Sequence, residues 1–122
     1  MAKSLLILLC DSPFQHESVD HATELSKAAR RRGHDVSIYL MMDGVYNPLT
    51  SQSGEPFNIR SVSERLAELI EEGVKISTCR VCMEIRGIQE DAMPDGVDVG
   101  GIFDLSEMVA ESDIVVSLVG RN

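Results

Sequence analysis

Short apolar runs alternate with segments of helical periodicity along the whole chain, and that alternation leaves few architectures open. Residues 3–10 are almost continuously apolar, the pattern of a parallel strand covered on both faces. Between Glu17 and Arg32, Val19, Ala22, Leu25 and Ala29 are spaced for one helix face. Asp35 to Met41 alternates and is rich in β-formers, which predicts a second strand. Ser61-Val62-Ser63-Glu64 has capping-box spacing and opens a helix with Leu66, Leu69 and Ile70 inward and Gly73 at its end. Val74-Lys75-Ile76-Ser77 reads as a third strand and Val97-Asp98-Val99 as a short fourth. Asp104-Leu105-Ser106-Glu107 repeats the capping pattern, with Met108 and Val109 inward, and Asp113 to Val119 reads as a buried closing strand. Strands separated by helices predict a three-layer α/β/α fold with a mainly parallel sheet. At 122 residues, a single domain over residues 1–122 has enough core to stand without disulfide staples.

Charge narrows the function. A net charge of −9 argues against a nucleic-acid surface or an anionic membrane, both of which need a basic patch. The one dense basic cluster, Arg30-Arg31-Arg32, follows Glu17 and Asp20 on the first helix and precedes Gly33. Acid first and base last complements the helix dipole, so the triplet reads as a helix-end device. Leu5 to Cys10 is too short to span a membrane, and Leu9 is too large to precede a lipoprotein cleavage site. Three cysteines are an odd number and no disulfide framework, which predicts a reducing cytoplasmic home.

In a parallel sheet, sites gather beyond the carboxyl ends of the strands. Three segments qualify: Cys10 to Phe14, Met42 to Tyr46, and Thr78-Cys79. No Gly-x-Gly-x-x-Gly follows the first strand, so a dinucleotide fold is not expected. The glycines from Gly96 to Gly101 read as turn residues, and residues 43–60 as a long loop of the kind that is often functional.

The densest chemistry is Cys79-Arg80-Val81-Cys82. Cys79 falls where a strand ends and a helix begins, a position whose free amides and dipole favour a thiolate, with Arg80 and Arg86 close in sequence. Cys82 lies one turn on and reads either as a resolving thiol or as a small core residue. Cys10 reads as a buried strand-end residue, His16 as solvent-exposed, and Tyr46 as a pocket residue or a packed loop anchor. His16, His21 and His34 supply no second ligand pair for a Cys-x-x-Cys zinc site, so neither metal nor cofactor is expected.

These segments together resemble the DsrE-like family, which includes sulfur-relay proteins. The resemblance rests on the apolar first strand, Met42-Asp43-Gly44-Val45-Tyr46-Asn47, and Gly73-Val74-Lys75-Ile76 leading into Cys79 to Ile88. It continues through Gly96-Val97, the Asp104 helix and Asp113 to Val116, spanning essentially the whole chain. In sulfur-relay members, a cysteine eight residues before the glycine of an Arg-Gly pair carries sulfur as a persulfide. Cys79 holds that position before Gly87, and Cys82 matches a second cysteine found in many relatives. The resemblance implies about five parallel strands, a homotrimer or homohexamer, and sulfur donor and acceptor proteins as partners. Three readings stay open: a sulfur carrier or sulfurtransferase acting through Cys79, a dithiol–disulfide redox or sensing module, and a non-catalytic oligomeric binding subunit.

Overall fold

The computed structural model describes residues 2–120. Five strands, β1 (Ser4–Leu9), β2 (Asp35–Leu40), β3 (Lys75–Cys79), β4 (Val97–Gly100) and β5 (Ile114–Leu118), form one parallel sheet in the order β4-β3-β2-β1-β5. Leu9 stands opposite both Leu40 and Leu118, and Leu40 opposite Thr78. The carboxyl ends of four strands therefore finish nearly level, which brings the segments that follow them to one edge.

Helices α1 (Ser18–Arg31) and α2 (Val62–Glu71) pack side by side on one face. Beneath them lies the main core, with Leu5, Ile7 and Leu9 of β1, Ile38 and Leu40 of β2, and Leu66 and Leu69 of α2. Helix α4 (Ile102–Glu111) reaches both β1 and β4. Its connection runs from one sheet edge back past β1, the reverse of the preceding ones, so the right-handed crossover rule assigns it to the opposite face. A short helix, α3 (Arg80–Glu84), sits at the end of β3. No helix of the described residues is long and apolar enough to cross a membrane.

Local signals explain most boundaries. The Ser61 hydroxyl accepts from the Glu64 amide at 3.3 Å and caps α2. Arg30 donates to the carbonyls of Glu72 and His34, each at 2.9 Å, tying the ends of α1 and α2 together as a helix-end device.

Several expectations are corrected. The inward face of α1 is Val19, Ala22, Thr23 and Ser26, whereas Leu25 is 38% exposed. Helix α4 begins at Ile102, and Asp104 is its third residue, accepting from the Gly101 amide at 2.7 Å. No residue of α4 is fully buried: Val109 is exposed and Met108 only half-buried, because the helix covers its part of the sheet loosely. Strand β5 is an edge strand, with Ile114 and Val115 exposed.

The edge strand is pinned to β1 by Asp113, whose carboxylate accepts from the Ser4 amide at 2.8 Å and from the Ser4 hydroxyl at 3.2 Å. The amide first, then the hydroxyl, hold the Asp113 carboxyl below its ordinary range. A folded value below the unfolded one contributes stability above the unfolded pKa of about 4, and loses it as pH falls through the folded value. Asp113→Asn should therefore lower the melting temperature at neutral pH, with the gap to wild type closing as pH falls through the lowered folded value. Melting curves across that range check this.

Candidate functional site

Strand β3 delivers Cys79 as its last residue, and the same residue is the N-cap of α3 (φ −77°, ψ 120°). Its sulfur is half-buried. Burial pushes the thiol up, but nearby donors outweigh it: the Cys82 amide, the Cys82 thiol, the Tyr39 hydroxyl and the Val81 amide. The net result holds Cys79 below the usual thiol range. None of these amides makes a capping hydrogen bond of regular geometry to Cys79, so they act as close dipoles. Because α3 has only five residues, this local cluster takes the place of the helix macrodipole expected from sequence.

Tyr39 comes from β2, buried. Its hydroxyl lies 3.3 Å from the Gly101 carbonyl and also within reach of Cys79, so its single proton serves the carbonyl or, once Cys79 ionises, the thiolate. Burial first, then the charge of Cys79, raises its pKa far above the usual phenol range, so it stays protonated and remains a donor.

Cys82 is buried in a small cluster with Val45, Met83 and Ile88, against Met41, Tyr46 and Cys79. Tyr46 is thus a packed anchor of the thiol cluster. The Met42 amide donates to the Cys82 sulfur at 3.2 Å. Burial pushes Cys82 up, the Met42 amide and Arg86 pull it down, and Cys79 pushes it further up. The two thiols are driven apart: Cys79 ionises first and Cys82 stays protonated beside it.

This division is measurable. Trypsin cuts after Lys75, Arg80 and Arg86, so the two cysteines fall on separate peptides, 76–80 and 81–86. With iodoacetamide at neutral pH, Cys79 should react clearly faster than Cys82, since the thiolate is the reacting form and Cys79 holds the larger share of it. Equal rates would remove the distinction.

Of the two arginines read from sequence as neighbours of the thiols, Arg80 turns away to Glu90, at 3.2 Å. Arg86 turns inward. Its Nε donates to Asp43 at 2.9 Å and its Nη1 to the Cys82 carbonyl at 3.1 Å. Gly87, in the left-handed region at φ +75°, ends α3, with its own amide bonding the Glu84 carbonyl and the Ile88 amide bonding the Met83 carbonyl.

The long segment after β2 is ordered. It starts with a 3-10 turn, Met42–Tyr46, and carries a second at Glu55–Phe57. The first turn is pressed onto the end of β1, where a Cβ at Gly44 would lie 2.1 Å from the Leu9 carbonyl oxygen. The buried Asn47 donates to the carbonyls of Asp11 and Gly44, each at 2.8 Å, joining the segments after β1 and β2.

Beyond β1 and β5 lies a cavity of about 350 Å³ lined by Cys10, Asp11, His16, Met42 and Asp43 among others. Cys10 is half-buried on this cavity, its thiol pushed up by burial, then by Asp11 and Cys82. His16 is half-buried there instead of lying in solvent. Asp11 is buried and accepts from Ser18 Oγ and from the Gly120 amide. All three candidate segments thus meet at one edge: the first two share the cavity, and the third joins them through Cys82 and Met42. Sequence reasoning did not single out Met42, Asp43 or Asn47 as individual residues. The only signal was their run after the second strand. Among the described residues, no three His, Cys, Asp or Glu side chains are grouped to hold a metal ion.

An all-parallel α/β sheet that presents an acidified thiol and a partner thiol at its carboxyl edge defines a class of thiol-bearing α/β proteins. Within that class the chain belongs to the DsrE/DsrF-like family, whose model matches residues 3–118. It is 29% identical over 112 residues to an uncharacterized protein of Methanopyrus kandleri, covering 92% of this chain and 91% of that one. It is 29% identical over 119 residues to DsrE of Allochromatium vinosum, named as a candidate sulfurtransferase, covering 87% of this chain and 91% of that one. The crystal structure of the YchN protein of Escherichia coli superposes with a TM-score of 0.84 at 26% identity, covering 97% of this chain and all of that one.

Proposed function

We propose that this protein carries sulfane sulfur as a persulfide on Cys79, with Cys82 as a resolving thiol. The observation that carries the reading is the placement of Cys79 at the carboxyl end of β3, as the N-cap of α3 and packed against the second thiol, Cys82, with its own thiol held below the usual range by the neighbouring amides. The Cys79 thiolate attacks the outer sulfur of a donor persulfide, the donor S–S bond breaks, and the donor leaves as a thiolate. No net oxidation occurs. Delivery reverses the step: an acceptor thiolate takes the outer sulfur and restores the Cys79 thiolate, leaving sulfur donor and acceptor proteins as the partners.

Cys82 offers a second exit. Its thiolate attacks the inner sulfur, forming a Cys79–Cys82 disulfide and releasing hydrosulfide, so the oxidation of two thiols is matched by reduction of the sulfane sulfur. Exposed Ile102, Phe103, Ile114 and Val115 supply an apolar surface for the trimeric or hexameric assembly that the family resemblance implies. Three free cysteines fit a reducing cytoplasm.

The test is to incubate the reduced protein with a sulfane-sulfur donor, remove the donor, and treat with cyanide, which converts bound sulfane sulfur to thiocyanate. The carrier reading predicts bound sulfur near one per chain. An internal disulfide with free hydrosulfide and no bound sulfur would favour the redox reading. Neither product would leave a non-catalytic binding subunit.

A further inference from the structure

We infer that Met42 is the positioning residue of the thiol pair: its left-handed backbone bends the chain into a turn that keeps its amide seated on the Cys82 sulfur, and the Asp43–Arg86 ion pair locks that turn in place. Cys82 is then held as a working second thiol and not as core filler. The use made of that thiol rests on the sulfur-carrier reading, whereas the geometry does not.

Met42 has φ +53°, a region that non-glycine residues rarely occupy. Such a conformation costs on the order of 1 kcal/mol, and methionine lacks the short polar side chain that lets asparagine offset it. Packing does not account for it, because the Met42 side chain is 51% exposed. Its N–H, oriented by the extended Met41 before it (ψ 168°), meets Cys82 Sγ at 3.2 Å, and the left-handed φ then bends the chain into the 3-10 turn packed against the thiol cluster. A neutral thiol is a weak acceptor, so the amide is only half satisfied. A thiolate would turn the contact into a charge-assisted hydrogen bond. The Met42 amide thus favours the ionised form of Cys82 against the burial that disfavours it.

The surrounding contacts keep donor and acceptor together. Arg86 bridges the turn and α3, binding Asp43 through Nε and the Cys82 carbonyl through Nη1. Gly44 is seated on the Leu9 carbonyl, and Asn47 fastens the other end of the turn. The titratable and charged groups around Cys82 are Cys79, Tyr39, Cys10, Arg86, Asp43 and Tyr46. Burial opposes the Cys82 thiolate most, the Met42 amide and Arg86 favour it, and Cys79 adds to the opposition. Capping Cys79 in a neutral mixed disulfide removes the part due to Cys79 and leaves the amide in place.

The test is the pH profile of iodoacetamide alkylation at Cys82, read on tryptic peptide 81–86, with Cys79 on peptide 76–80 as internal control. Met42→Gly adopts the left-handed conformation freely and keeps the amide, so its Cys82 midpoint should match wild type. Met42→Val disfavours that conformation. It should raise the midpoint and slow Cys82 about fivefold near pH 8, with rates converging at high pH and Cys79 unchanged. Arg86→Lys retains the charge and the cleavage site but loses the two-pronged bridge, and should shift the midpoint in the same direction. It carries the test if Met42→Val does not fold. Unchanged midpoints in the folded variants would overturn the inference. So would faster alkylation at every pH, the sign of a turn that merely shields the sulfur, or a shift in Met42→Gly as large as in Met42→Val. Because no sulfur donor enters the assay, failure of sulfur loading would leave its result standing.

Discussion

Gly44→Ala should destabilise the protein by about 3 kcal/mol, at the upper end for overpacking a fitted site. The added Cβ would lie 2.1 Å from the Leu9 carbonyl oxygen and 3.0 Å from the Leu9 carbonyl carbon. Both are backbone atoms of β1, an inner strand held by β2 on one side and β5 on the other, so they cannot move aside. The turn must lift instead. Lifting it draws Val45 out of the Cys82 cluster, strains the Asn47 bonds and withdraws the Met42 amide. Urea denaturation measures the loss, and the Cys82 alkylation profile should shift in the same variant. A wild-type midpoint would mean that the turn does not bear on the strand as described.

Cys79→Ser should bring sulfur loading down to background with little change in stability. The serine hydroxyl fills nearly the same half-buried space but does not ionise near neutral pH, so the donors around it have no thiolate to stabilise. Cys82→Ser should still load, because Cys79 keeps the Val81 and Cys82 amides and the Tyr39 hydroxyl. Its persulfide should also last longer, since the internal exit as hydrosulfide is gone. Loss of loading in both variants would point to a dithiol mechanism from the first step. Thiocyanate release and hydrosulfide evolution, followed over time in each variant, separate these outcomes.

The sheet and the reactive edge were legible because their signals are local. The run from Leu5 to Leu9 reads as an inner strand because both of its faces are covered, and Cys79 declares itself by standing at a strand-to-helix junction. The start of α4 was not legible. Asp104 followed by Glu107 mimics an N-cap, while the true N-cap, Gly101, has no side chain to announce it. Nor was the exposure of β5, since an apolar run looks alike at the centre and at the edge of a sheet. The locking of the thiol pair was out of reach for another reason. Asp43 and Arg86 meet across 43 residues of sequence, and a left-handed methionine leaves no mark on the pattern of apolar and polar residues. His16 lies on a cavity wall only because the segment after β1 folds back beside the end of β5.

The central claim is that Cys79 is the atom on which sulfur travels. Its most direct test is to expose the reduced wild-type protein to a sulfane-sulfur donor at neutral pH, alkylate, digest with trypsin and weigh the cysteine peptides. The account predicts the added mass of one sulfur atom on peptide 76–80, which carries Cys79, ahead of any on peptide 81–86. Sulfur confined to the Cys82 or Cys10 peptide, or absent from all three, would contradict it.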